Sequence, residues 1–176
     1  MTQRDPLADP APLIRRVYAY VAYRIGDGPD AEDVTSEVFE RAIRYRSTFD
    51  PGRGGPSAWL IGIARRCIAD RGVVPIDFRP TLDEALSTDD LETKALERLT
   101  LARAVGGLDD RSRELLALRY GADLKAREIG ELMGLAANAV EVALHRALAR
   151  LRTKLEEGES PIGTQLPDRS SRASSV

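Results

Sequence analysis

Two glycines four residues apart, Gly130 and Gly134, stand among the apolar residues Ile129, Met133, Leu135, Val140 and Ala143. No other feature constrains the fold so tightly. Two helices that cross closely need a small residue inside the first and a residue tolerant of a left-handed turn between them. They also need apolar side chains on both inner faces. The spacing predicts such a pair over residues 126–144. The second helix continues from residue 137 to 156, with Val140, Leu144, Ala147, Leu151 and Leu155 on one face.

The rest of the chain also reads as helical. Alternating apolar runs bounded by turns are missing, and the nearest strand-like stretch, Val73-Val74-Pro75-Ile76, carries a proline. Leu13, Val17, Tyr20 and Val21 predict a helix over residues 11–24, ended by Gly26-Asp27-Gly28-Pro29. A second helix is expected over 30–46, with Asp30, Glu32 and Asp33 at its positive end and Val34, Val38, Ala42 and Tyr45 as its buried stripe. After a Gly- and Pro-rich loop, a third helix should run to about residue 71 with Leu60, Ile63, Ala64, Cys67 and Ile68 inward. The expected fold class is all-α. Two small helical domains, residues 10–72 and 92–156, are joined by a flexible acidic linker over 73–91 and followed by a disordered tail over 157–176.

Composition narrows the functions available. Aromatics make up only 5% of the 176 residues, so the cores must be built mainly of Leu, Ala, Val and Ile. One cysteine, Cys67, and one histidine, His145, leave no basis for an internal disulfide, a zinc site or a histidine-based catalytic dyad. Cys67 falls on an apolar helix face, where a thiol behaves as a small hydrophobe. No apolar run approaches the length of a membrane span, and residues 1–12 hold acids and prolines in place of an apolar signal, so the expected location is cytoplasmic without membrane insertion. The net charge of −2 hides an asymmetry: acids crowd residues 77–97 and 156–159, whereas residues 98–154 are net basic.

That basic segment surrounds the helix pair, which has the form of a DNA-binding helix-turn-helix whose second helix enters the major groove. Asn138, Glu141, Val142, His145 and Arg146 are its candidate contacts. Asn can read adenine, Glu can accept from cytosine, and Arg146, Arg150, Arg152 and Lys154, with Arg111, Arg113, Arg119, Lys125 and Arg127 nearby in sequence, can meet phosphates. In the first half, Phe49, Arg53, Trp59, Arg65 and Arg66 combine aromatics and guanidinium groups beside a glycine-rich loop, a combination suited to unpaired bases and their phosphates.

The order of these features resembles the extracytoplasmic-function sigma factors of bacterial RNA polymerase. The likeness rests on Asp30-Ala31-Glu32-Asp33-Val34 through Arg41-Ala42, on Ala58-Trp59-Leu60, Ile63-Ala64-Arg65 and Ile68-Ala69-Asp70, on the stretch from Leu108 through Arg113-Glu114-Leu115-Leu116 to Tyr120, and on residues 126–155. The resemblance implies that Asp33, Glu37 and Phe39 bind the polymerase core. It implies that the loop and third helix open and read the promoter −10 element, and that the second domain reads the −35 element. It also implies no catalytic chemistry of its own, no required cofactor, and an anti-sigma protein as a candidate partner. The chain departs from the family pattern at Ser36, at Arg71-Gly72 where a basic run is usual, and at Asn138-Ala139-Val140-Glu141-Val142-Ala143 in the recognition helix. Two alternatives stay open on the sequence: a helix-turn-helix regulator of another kind, and a sigma-like interaction protein without promoter-specific initiation activity.

Overall fold

The computed structural model describes residues 5–72 and 88–159, and every regular element among them is helical. The first unit holds α1 (Pro10–Ile25), α2 (Pro29–Arg44) and α3 (Pro56–Asp70). Each begins on a proline, whose missing N–H costs nothing where no intrahelical acceptor exists. Asp30 and Glu32 in the first turn of α2 and Arg41 and Arg44 in its last complement the helix dipole. Val17, Tyr20 and Val21 of α1 pack against Val34, Val38 and Ala42 of α2 and against Leu60, Ile61, Ala64 and Cys67 of α3.

Two local expectations are corrected here. Tyr45 is 51% exposed, because α2 stops at Arg44 and the chain turns into a short 3-10 segment, Arg46–Thr48. The inward position of α3 is Ile61, with Ile63 only partly covered at the rim.

The second unit holds α4 (Thr88–Gly106), α5 (Asp110–Leu116), α6 (Ala126–Met133) and α7 (Ala137–Glu159), with a π-helical turn at Ala117–Gly121. The side chain of Asp109 caps α5, its Oδ1 accepting the Ser112 N–H at 2.9 Å. At the start of α6, Glu128 Oε2 accepts the Lys125 N–H at 2.9 Å. Ile129, Val140, Leu144 and Ala147 are buried as expected, and Met133, Leu135 and Ala143 are partly covered beside them.

Gly134 ends α6 at φ 68° and ψ 36°, the left-handed turn that the spacing calls for. Gly130 sits so close to the chain leaving that turn that a Cβ would lie 2.5 Å from the Leu135 carbonyl oxygen. The linker expected at 73–91 lies outside the described residues as far as 87, and α4 begins at Thr88. The tail lies outside them from residue 160, with α7 running three residues past the expected 156.

The two units also pack on each other. α1 lies against the π turn and α5, α3 touches α6, and the buried residues of both units form one continuous cluster.

Candidate nucleic-acid and polymerase interfaces

Helical spacing brings Asp33, Glu37 and Arg41 onto one face of α2. Asp33 is exposed, and Phe39 is partly covered by the core. Glu37 is tied down: its Oε1 lies 2.6 Å from Arg41 Nη2, and its Oε2 accepts from Arg71 Nη2 at 2.9 Å. Arg41 also donates to Asp70 Oδ2 at 2.9 Å. Glu37 therefore helps to fasten α2 to the end of α3, and Asp33 is the freer anion on this face.

The aromatic and basic residues of the first unit line a groove of about 870 Å³, with Arg41, Arg53, Trp59 and Arg66 among its walls. Arg53 and Arg66 are exposed, and Trp59 is partly buried. Phe49, expected among the −10 contacts, is buried. It is only 6% exposed and meets Trp59 edge-on, with ring centroids 5.5 Å apart and an interplanar angle of 61°. Such pairs are favourable beyond the area they bury. Phe49 thus packs against the Trp59 ring. Glu128, Glu131 and Leu132 of α6 also line the groove.

Arg65 points elsewhere. Its Nε lies 3.0 Å from Glu114 Oε1, and its Nη1 donates to the Leu132 carbonyl, so both ends of the guanidinium are engaged by the second unit. It is a part of the contact between the halves, in contrast to its expected place among the −10 contacts.

In the second unit, Asn138, Glu141, Val142, His145 and Arg146 are all exposed along the outer face of α7. Asn138 Oδ1 accepts the Ala139 N–H at 2.9 Å. Lys125 and Arg127 are exposed at the start of α6, and Arg127 pairs with Glu131 at 3.2 Å. Three other arginines expected to meet phosphates have internal work. Arg113 is buried and donates to the Gly106 and Leu108 carbonyls at 2.9 Å each. Arg119 donates to Leu124 O at 3.0 Å, and Arg150 joins α7 to the α5 cap through Asp109 at 3.1 Å and Ser112 Oγ at 2.8 Å.

Sequence reasoning missed Glu114. It is buried, and the Tyr20 hydroxyl donates to its two carboxylate oxygens at 3.0 and 3.1 Å. Arg24 Nε lies 2.8 Å from Oε2, a charge contact without hydrogen-bond alignment. Burial, and then the negative charge of Glu114, push the Tyr20 phenol well above its ordinary value. A charged residue at a helical position otherwise apolar, in the run Glu114-Leu115-Leu116, is the one local sign of this site.

Comparison with known proteins matches the same two units. A family model described as Sigma-70 region 2 fits residues 12–71, and one described as Sigma-70, region 4 fits residues 98–151. The chain is 33% identical over 150 residues to the ECF RNA polymerase sigma factor BldN of Streptomyces coelicolor, covering 80% of this chain and 56% of that relative, so it spans little more than half of the latter's length. It is 30% identical to the ECF RNA polymerase sigma factor SigL of Mycobacterium tuberculosis over 148 residues, covering 80% of this chain and 83% of that one. Among solved structures, CnrH in complex with the cytosolic domain of CnrY aligns with a TM-score of 0.62 at 26% identity, over 86% of this chain and 85% of that one. The sigma factor RpoE of Bartonella quintana, solved with the anti-sigma factor NepR, aligns with the same TM-score at 19% identity over 83% and 93% of the two chains, a likeness of fold.

Proposed function

The chain belongs to the extracytoplasmic-function sigma factors, and on that premise we propose that it directs the RNA polymerase core to a defined set of promoters and assists their opening. The first domain docks on the core through the α2 face that carries Asp33, Glu37 and Phe39. Its groove receives −10 bases, with Trp59 as the stacking surface and Arg53 and Arg66 as phosphate contacts. The second domain lays the outer face of α7 in the major groove of the −35 element, where Asn138, Glu141, Val142, His145 and Arg146 face base edges and backbone. Lys125 and Arg127 hold the flanking phosphates. The protein acts by binding and carries out no bond-breaking chemistry of its own. Its place of work is the cytoplasm, with the polymerase; among the described residues no helix is long and apolar enough to cross a membrane.

The observation that carries this reading is the presence in one chain of both units, one matching Sigma-70 region 2 and the other Sigma-70, region 4. A regulator of another kind needs only the second unit, and α2, α3 and their groove then have no purpose. Two structural relatives are held by another protein, CnrY in one case and the anti-sigma factor NepR in the other, and an anti-sigma partner is proposed here by that likeness. The reading is tested by run-off transcription with purified core over a promoter library. Transcripts that start at a shared pair of elements, and only when the chain is added, support it. Core binding without promoter-specific transcripts would leave a sigma-like interaction protein.

A further inference from the structure

Past the residues that face the bases, α7 is tied to the start of α5 by a closed set of polar contacts. Asp109 Oδ1 accepts the Ser112 N–H at 2.9 Å, and Asp109 Oδ2 accepts the Ser112 hydroxyl at 2.6 Å. Arg150 of α7 donates through Nη1 to both residues, at 2.8 Å to Ser112 Oγ and 3.1 Å to Asp109 Oδ2. The buried Ser112 hydroxyl thus donates to one partner and accepts from the other. We propose that Asp109 and Ser112 are positioning residues for promoter reading: by gripping Arg150 they fix the angle of α7, and with it where Asn138, Glu141 and His145 meet the bases. This rests on the reading of α7 as the helix that faces the second promoter element.

The fixed side of this joint is stiff. Arg113, also buried, donates to the Gly106 and Leu108 carbonyls at 2.9 Å each, which pins the turn between α4 and α5 on which Asp109 stands. One turn beyond Arg150, the methylene stem of Lys154 lies over the same turn, so close that a Cβ at Gly107 would be 3.4 Å from Lys154 Cδ. Arg150 and Lys154 share a face of α7, so two successive turns of the helix rest on the start of α5 and the chain before it. The reading half of α7 is held by Val140, Leu144 and Ala147 in the core. Apolar contact has no preferred direction and sets depth better than angle. Charge-assisted hydrogen bonds are directional, and Arg150 supplies them.

The length of α7 turns the joint into a lever. At about 1.5 Å per residue, Asn138 lies about 18 Å along the helix from Arg150. A tilt of about 5° at the joint moves Asn138 by about 1.6 Å, whereas a hydrogen bond to a base tolerates only about 0.5 Å in donor–acceptor distance. A bidentate contact of that kind gives about 5- to 150-fold discrimination at one base pair. Arg150 reads in the sequence as a phosphate contact; in this arrangement it serves promoter choice without touching DNA.

Ser112→Ala removes the hydroxyl and leaves the Asp109 Oδ1 cap, and Arg150→Gln removes the charge from α7. Both are made in the full chain, with circular dichroism as the check on helix content. The first arm needs no DNA. Spin labels on Arg111→Cys and Glu141→Cys report the distance from α5 to the reading face of α7, and the buried Cys67 stays unlabelled. The proposal expects the distance distribution to shift or broaden in both variants. The second arm measures binding of the holoenzyme to single-base variants of the second promoter element. Preference at the base where Asn138→Ala erases it should fall about fivefold or more, with affinity for the poorest sequence kept. The double variant should be no worse than either single one, because both break one joint. An unchanged distance distribution overturns the joint whatever the DNA result. A changed distribution with full base preference overturns the positioning role. So does an equal loss on every sequence in Arg150→Gln with a salt slope smaller by about 1, the mark of a phosphate contact. A wild-type holoenzyme without any base preference in the second element would count against the proposed function, and the distance arm would still decide the joint.

Discussion

Replacing Gly130 with Ala should damage the helix-turn-helix more than any other single methyl group added to a glycine of the second domain. The new Cβ would lie 2.5 Å from the Leu135 carbonyl oxygen, a separation that forces the backbone to move. The obstacle is main chain, fixed in turn by the Leu135 N–H donating to the Gly130 carbonyl at 2.9 Å, so no side chain can swing aside. Overpacking of this kind costs about 1–3 kcal/mol, and a rigid neighbour places it near 3. Against that, Ala is favoured over Gly inside a helix by about 1 kcal/mol. The net loss is about 2 kcal/mol, or a fall in melting temperature of about 4–8 °C for a chain of this size. Thermal unfolding of the full chain followed by circular dichroism is the assay. Gly106→Ala is the companion, because a Cβ at Gly106 meets nothing within 4 Å, and it should leave the melting temperature unchanged or slightly raised. If Gly130→Ala melted within about 1 °C of wild type, the close crossing of α6 and α7 would not be the constraint described here.

Other substitutions separate the surfaces. Asp33→Ala should weaken pull-down of core polymerase with the fold intact, and the wild-type contact should weaken as salt rises; Glu37→Ala also releases Arg41 and Arg71, so its effect on melting must be measured beside its effect on binding. Asn138→Ala should cost about 1–3 kcal/mol of binding mainly at one base position, whereas Glu141→Lys should raise affinity for all sequences and blur choice among them; a panel of single-base promoter variants tells the two patterns apart. Asp109→Ala should lose the α5 cap, worth about 0.5–2 kcal/mol of stability at neutral pH. The Ser112 hydroxyl, and then the Ser112 backbone N–H, hold the Asp109 carboxyl below its ordinary value of 3.8. Its folded pKa is therefore the lower one, and its charge stabilises the fold above about pH 4. The gap in melting temperature between wild type and Asp109→Ala should narrow as pH falls below that, and a gap independent of pH would remove the charge from the explanation.

Periodic and turn-forming residues were legible from the chain alone. Gly130, Gly134 and the five apolar positions around them specify one local geometry, and Val34, Val38 and Ala42 repeat at the helical period because they face a single core. What escaped notice depends on partners far along the chain. Tyr20 and Glu114 are 94 residues apart, and Arg65 and Leu132 are 67 apart; neither pair leaves a mark in local periodicity. Arg65 and Arg66 look equivalent in sequence, yet a helical step of about 100° sends one toward Glu114 and the other to the groove. Phe49 reads as a loop aromatic, and only the packing against Trp59 shows that it is buried beside that ring. Arg113, Arg119 and Arg150 read as phosphate contacts by charge alone, and their hydrogen bonds to carbonyls and to the α5 cap assign them to the fold.

The central claim is that one chain, bound to polymerase, reads two promoter elements with two domains. Its most direct test takes a promoter selected by the chain and core in run-off transcription and inserts about half a helical turn of DNA, roughly 5 bp, between the two elements. The account predicts that transcription is lost although both elements are intact, because the second element now faces the wrong side of the duplex. It also predicts partial recovery when the natural spacing is restored with altered spacer sequence. Full transcription from the lengthened promoter would show that one domain suffices for promoter choice and would contradict the account.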